Sequence, residues 1–175
     1  MHEKLSFRSK FLYGLTDLGF SIAYTIPAFY LLIFLTDVVN FPPALAGTLL
    51  LLAKIWDALI DPVIGHVSDR TKTRWGRRRP FLLWFAVPFG LAFSLIWQIP
   101  QVASPVGQTL IILGAIFSFI TFFSLLSVPY SSLAPEMTRD YDERTKLNGY
   151  RMFFSIIGGL AAVLLPSYYF GLSPD

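Results

Sequence analysis

The chain contains no cysteine among its 175 residues. Disulfides and thiolate-held metals are thereby excluded. Histidine is nearly absent too: His2 is terminal and His66 lies at the end of an apolar stretch beside a basic loop, so no imidazole sits deep in an apolar segment to act as a general base. Charge is scarce. Asp, Glu, Lys and Arg make up 14% of the residues, against about 25% in a typical soluble domain. Apolar bulk takes their place, at 54% hydrophobic and 17% aromatic. These shortages argue for a chain whose solvent is lipid.

A bilayer span needs about 20 mostly apolar residues. Five stretches meet that rule, at roughly 11–36, 43–67, 80–99, 106–134 and 149–170. The expectation is an all-α, polytopic membrane helix bundle with five transmembrane helices, forming a single transmembrane domain over 1–175. The first apolar run is too long for a cleavable signal peptide. The basic residues alternate between connections. Lys4, Arg8 and Lys10 precede the first span; Arg70, Lys72, Arg74, Arg77, Arg78 and Arg79 follow the second; Arg139, Arg144 and Lys146 follow the fourth. The other two connections and the C-terminal tail hold none. The positive-inside rule then predicts a cytoplasmic N-terminus and an outside C-terminus in the cell (plasma or inner) membrane. The same rule accounts for the run Arg77–Arg79 without nucleic acid as a partner.

Against this background, the segment Lys54-Ile55-Trp56-Asp57-Ala58-Leu59-Ile60-Asp61-Pro62 stands out. Residues four apart on a helix share a face, with Cβ atoms about 6 Å apart. An ionisable group at bilayer depth costs roughly 2.5–3.5 kcal/mol on insertion scales. Two carboxylates on one face therefore call for a cation, a proton or a basic partner, and Lys54 is one turn away. Pro62 has no N–H for the carbonyl of Ala58, which frees an oxygen within a turn of both acids or simply kinks the helix. Carboxylates plus carbonyl oxygens suit Na⁺ or H⁺ better than a transition metal. Asp17 is a third acid inside an apolar span, and Arg151 opens the fifth, where it is either functional or an interfacial anchor. Ser124, Ser127, Tyr130, Ser131 and Ser132 gather around Pro129, as helix glue or as the lining of a polar cavity. An intramembrane aspartyl protease is disfavoured, because a catalytic dyad needs carboxyls from opposed segments.

The motif Gly65-His66-Val67-Ser68-Asp69-Arg70, followed by Gly76-Arg77-Arg78-Arg79-Pro80, resembles the loop signature of the major facilitator superfamily. The longer spacer Thr71–Trp75 and the segments Trp56-Asp57-Ala58, Asp61-Pro62, Pro129-Tyr130, Glu136, Glu143-Arg144-Thr145 and Tyr150-Arg151 are similar to its glycoside–pentoside–hexuronide:cation symporters, the melibiose permease-like group. The resemblance runs from about Leu5 to Gly159. It implies cation binding by Asp57, Asp61 and Ser124, and solute contact by Asp17 and Arg151. It also implies a state-dependent latch built from Asp69, Arg70, Arg77 and Arg78. Two positions depart from the pattern. Ser127 stands where melibiose-type carriers have a sugar-binding aspartate, and Ser131 where they have a stacking tryptophan. A galactoside is therefore not carried over; Ser127 and Tyr130 remain the solute candidates on the fourth span, and members of the group carry pentosides, glucuronides or lipids.

That fold has twelve helices in two halves, each of 3+3 inverted repeats. Five spans amount to an incomplete N-terminal half. The expectation is the N-terminal part of a secondary active transporter, with cation-coupled symport of a sugar or glycoside, no cofactor, and Na⁺, H⁺ or Li⁺ as coupling ion. The missing C-terminal helices come from another chain or are lost. The alternatives are a small membrane partner, a non-transporting fragment, or a carrier of lipid or another non-sugar solute.

Overall fold

The computed structural model describes residues 5–74, 76–138 and 140–171; His2, Lys4, Trp75 and Arg139 lie outside them. All regular structure among the described residues is helical. Helix α1 spans Phe7–Ile33 and runs into a π-helical turn, Phe34–Val38. Asn40, at φ +56°, ends that turn. Helices α2 (Pro43–Arg70), α3 (Arg79–Leu95) and α4 (Pro105–Ser131) follow, then the single turn α5 (Ala134–Met137) and the long α6 (Tyr141–Gly171).

Local chemistry sets the helix ends. Helices α2, α3 and α4 each carry proline in the first turn, where its missing N–H and fixed φ are harmless. Ser104 Oγ accepts from Gly107 N at the start of α4, and Asp140 Oδ1 accepts from Glu143 N at the start of α6; both satisfy otherwise orphaned donors. Five helices also contain an interior proline: Pro27, Pro62, Pro88, Pro129 and Pro166. Spanning helices tolerate this where neighbouring groups re-satisfy the freed carbonyl.

Among the described residues, four helical segments are long and apolar enough to cross a bilayer: Phe7–Val38, Pro43–Arg70, Pro105–Met137 and Tyr141–Tyr168. The stretch expected at 80–99 forms a 17-residue helix, about 25 Å at 1.5 Å per residue and near the lower limit for a span. Its path continues through hydrogen-bonded turns at Ile96, Trp97 and Gln98. Helix α6 starts eight residues before the apolar stretch expected from 149, because the charged segment from Tyr141 is also helical. Arg151 therefore lies about three turns inside a helix and does not open one. The fourth expected span breaks at Ser132–Leu133, ahead of α5.

Apolar surface points outward. On α2, Leu51, Ile55, Leu59, Val63 and Val67 are all exposed. This i, i+4 stripe lies about 200° around the helix from the row holding Ala53, Asp57 and Asp61. Helices α3 (Leu83, Val87, Leu91, Leu95) and α6 (Ile156, Leu160, Leu164, Tyr168) carry similar exposed stripes. Lipid satisfies such stripes, whereas water would not.

The contacts group into two units. One holds residues up to Leu31 and from Ala134 onward; the other holds Leu32–Leu133. In the first, α1 and α6 approach closely through glycine. A Cβ on Gly158 would sit 2.7 Å from Leu18 O, and one on Gly14 would sit 2.8 Å from Phe154 Cδ2. Ser21 Oγ donates to Ser155 O at 2.7 Å, and Tyr30 OH donates to Val163 O at 2.8 Å. Small residues with interhelical hydrogen bonds are the normal way to join helices in lipid. In the second unit, Ala92, Ile96 and Phe119 form a buried cluster on α3 and α4, with Phe89, Phe93 and Trp97 packed against it. Helix α4 also packs along α2.

Candidate functional site

The α2–α4 contact of the second unit holds the acids singled out in the sequence. Asp57 is half-buried on α2. Its Oδ1 accepts from the Ser124 hydroxyl on α4 at 3.3 Å, and Ser124 is 1% exposed. Asp61 lies one turn further along α2. Its Oδ1 is buried and has no hydrogen-bond partner among the described residues. A buried carboxylate oxygen left in that state is costly unless a cation or a proton joins it. Asp61 and Lys54, on the same helix face, both lie within electrostatic reach of Asp57. Ser127 and Tyr130 lie further along α4; Ser127 is half-buried and Tyr130 is 3% exposed.

The first unit holds a different arrangement. Arg151 Nη2 and Nε lie 3.2 and 3.4 Å from Asp17 Oδ1, with the two side chains 26% and 14% exposed. The Arg151 guanidinium also lies 5.9 Å from the centroid of the buried Tyr13 ring, within cation–π range. Asp17, Asn148, Arg151, Met152 and Ser155 line an open recess of about 390 Å³. Asn148 and Ser155 escaped the sequence reading, although both sit one turn from Arg151 on the same face.

The loop after α2 carries the third set. Arg78 Nη2 donates to Asp69 Oδ1 at 2.6 Å, and Arg78 Nη1 donates to the carbonyl of Ser132. The guanidinium thus ties the end of α2 to the turn after α4. Arg70 and Arg77 are exposed. Gly76, at φ +98°, adopts a backbone conformation that other residues rarely take, and its carbonyl accepts from Thr73 Oγ1 at 2.6 Å.

One buried acid had been read only as part of a motif. Glu143, 3% exposed, is gripped by Lys10 Nζ at 2.5 Å, Lys146 Nζ at 3.1 Å and Leu5 N at 3.1 Å. Lys10 and Lys146, which the sequence reading assigned to membrane orientation, therefore also join the start of α1 to the start of α6.

The family described as MFS/sugar transport protein matches residues 12–174. An uncharacterized symporter of Synechocystis sp. is 42% identical over 168 residues, covering 93% of this chain and 31% of that protein. The isoprimeverose transporter of Lactiplantibacillus pentosus is 32% identical, over 93% of this chain and 34% of its own length. The sodium-dependent lysophosphatidylcholine symporter 1 of Gallus gallus is 32% identical, over 89% and 29% respectively. The chain spans about a third of the length of the curated relatives it matches. Apolar helices, a loop motif held by Arg78 and Asp69, and a match over nearly the whole sequence lead to one conclusion: the chain belongs to the MFS/sugar transport protein family, a family of multi-pass membrane transporters and not of enzymes.

Proposed function

We propose that this chain works within a cation-coupled symporter that moves a sugar or glycoside across the cell membrane. Asp57, Asp61 and Ser124 take the coupling cation; Asp17 and Arg151, with Asn148 and Ser155 beside them, take the solute. The observation that carries this reading is the buried Asp61 Oδ1, without a hydrogen-bond partner among the described residues, one turn from Asp57, which accepts from the Ser124 hydroxyl. Carboxylate and hydroxyl oxygens are hard donors and fit Na⁺. The relative named as sodium-dependent supports Na⁺ as the coupling ion, and the relative named for isoprimeverose supports a sugar as the solute. The Asp17–Arg151 pair is close to neutral and offers both acceptors and donors, which suits a hydroxyl-rich, uncharged solute. Ser127 and Tyr130 are the further solute contacts on α4.

The relatives are about three times as long, so the transport path is completed by helices beyond this sequence, in the same or another chain. Both units act within one transmembrane domain. The N-terminus and the loops around Arg77 and Arg144 face the cytoplasm, and Asp69, Arg70, Arg77 and Arg78 act as a latch in one conformational state. Coupling follows from linkage: each ligand raises the affinity for the other. The test, in a carrier completed with its remaining helices, is uphill solute accumulation beside equilibrium solute binding in the same vesicles. Asp57→Asn and Asp61→Asn should abolish accumulation while solute still binds. Normal accumulation in both variants removes the cation-site reading and leaves the acids as helix glue.

A further inference from the structure

We propose that Trp56 and Thr121 are positioning residues that hold Asp57 in place at the cation site. The inference rests on the assignment of that site above and extends it to two side chains that would not themselves touch the ion. Trp56 Nε1–H donates to Thr121 Oγ1 at 2.9 Å. The Thr121 hydroxyl in turn donates to the carbonyl of Phe117 at 2.7 Å. The Trp56 indole also stacks on the Phe117 ring, with centroids 5.1 Å apart and an interplanar angle of 12°. Residue 117 of α4 thus meets Trp56 twice, by its ring directly and by its carbonyl through Thr121.

Asp57 directly follows Trp56, and Ser124 lies three residues after Thr121 on α4. Two rungs therefore join the same stretch of the two helices: Trp56 to Thr121, and Asp57 to Ser124. They are unequal. The Asp57–Ser124 contact, at 3.3 Å, is long for a hydroxyl–carboxylate bond, whose usual range ends near ~3.0 Å. The Trp56–Thr121 contact lies at the usual N–H···O distance and is locked by the second bond to Phe117. The firm rung is therefore the neutral one, beside the acid. It sits where α2 most needs it, because Pro62 deletes the ladder bond to Ala58 O and leaves the helix softest across Asp57 and Asp61. A binding group on a softened helix requires support from its neighbours to keep its geometry. Thr121 is distinguished from a ligand by its commitments: its proton goes to Phe117 and it accepts from the indole.

The experiment uses the carrier completed with its remaining helices, in membrane vesicles with radiolabelled sodium at equilibrium, and solute affinity is read at saturating sodium. Thr121→Val keeps the shape and deletes the acceptor; Trp56→Phe keeps a stacking ring and deletes the N–H; Thr121→Ser keeps the hydroxyl. Half-saturating sodium should rise about fivefold in the first two, the scale of one neutral hydrogen bond, and stay near the parent value in Thr121→Ser. The Trp56→Phe/Thr121→Val pair should be no worse than either alone, since both delete one bond. Solute affinity at saturating sodium should not move in any of them. Phe89→Leu, in the α3–α4 packing, should lower stability without shifting sodium affinity. If Asp57→Asn loses sodium while Thr121→Val and Trp56→Phe bind it like the parent, the positioning role is overturned and the cation site stands. If Asp57→Asn binds sodium normally, the site assignment itself is overturned, and the positioning role with it.

Discussion

The α1–α6 contact and the α2–α4 contact each place aspartate among apolar helices, yet they resolve its charge in opposite ways. Asp17 is answered within the protein by the Arg151 guanidinium at 3.2 Å, with the Tyr13 ring beneath. Asp57 accepts from a serine hydroxyl at 3.3 Å with Lys54 one turn away, and Asp61 Oδ1 has no hydrogen-bond partner among the described residues. The first arrangement is already near neutral and presents donors and acceptors to a recess. The second carries surplus negative charge in a poorly solvated place. The proposed division of labour, a polar, uncharged solute at the first and a cation at the second, rests on that difference.

The comparison breaks most sharply if the two sites respond alike to charge removal. Asp57→Asn and Asp61→Asn should each lower sodium affinity by about 100-fold, the upper scale for losing a charged partner, and leave solute binding measurable by equilibrium dialysis. Next in size are changes at the ion pair. Arg151→Gln alone leaves Asp17 part-buried with its partner removed, and a broken pair of this kind is expected to cost a few kcal/mol, up to about 3–5 when fully buried. Arg151→Gln with Asp17→Asn should recover part of the thermal midpoint lost by the single variant. Solute affinity should remain weak in both cases, with sodium affinity unchanged. Recovery of solute binding in the double variant would show that the pair is structural.

Smaller effects test the frames around the sites. Gly158→Ala should lower the thermal midpoint, because its Cβ meets the Leu18 carbonyl at 2.7 Å, and such overpacking costs about 1–3 kcal/mol. Gly149→Ala, with nothing within 4 Å of its Cβ, should be neutral or raise it by the ~0.5–1 kcal/mol of helix propensity that glycine forgoes. Equal losses in the two would refute the close α1–α6 approach. Arg78→Lys keeps the charge but not the fork that reaches Asp69 and the Ser132 carbonyl together. It should slow transport with insertion unchanged, and transport at the parent rate would reduce Arg78 to a topology signal.

The sequence made the acids legible because ionisable groups inside apolar runs violate composition so strongly. It also made the loop legible, since Asp69, Gly76 and Arg78 sit at fixed spacing. The positions of the long apolar helices followed from apolar run length. Other features depended on which helices meet, and no periodicity in one segment reports that. Gly14 and Gly158 look like ordinary glycines until α6 lies against α1. Thr121 reads as one more hydroxyl until Trp56 reaches it from α2, although its spacing of three from Ser124 was a visible hint. Lys10 and Lys146 were fully explained by membrane orientation, which concealed their grip on Glu143. The early start of α6 is hidden because a charged helical turn and an apolar span obey different rules, and apolar run length reports the span alone.

The central claim is that cation and solute are bound by different residues in the two contacts. Parallel equilibrium binding of radiolabelled sodium and of labelled solute, in vesicles holding Asp61→Asn or Arg151→Gln, tests it most directly. The account predicts a crossed result: Asp61→Asn loses sodium and retains solute, while Arg151→Gln retains sodium and loses solute. Loss of both ligands in each variant, or of neither in either, would contradict it.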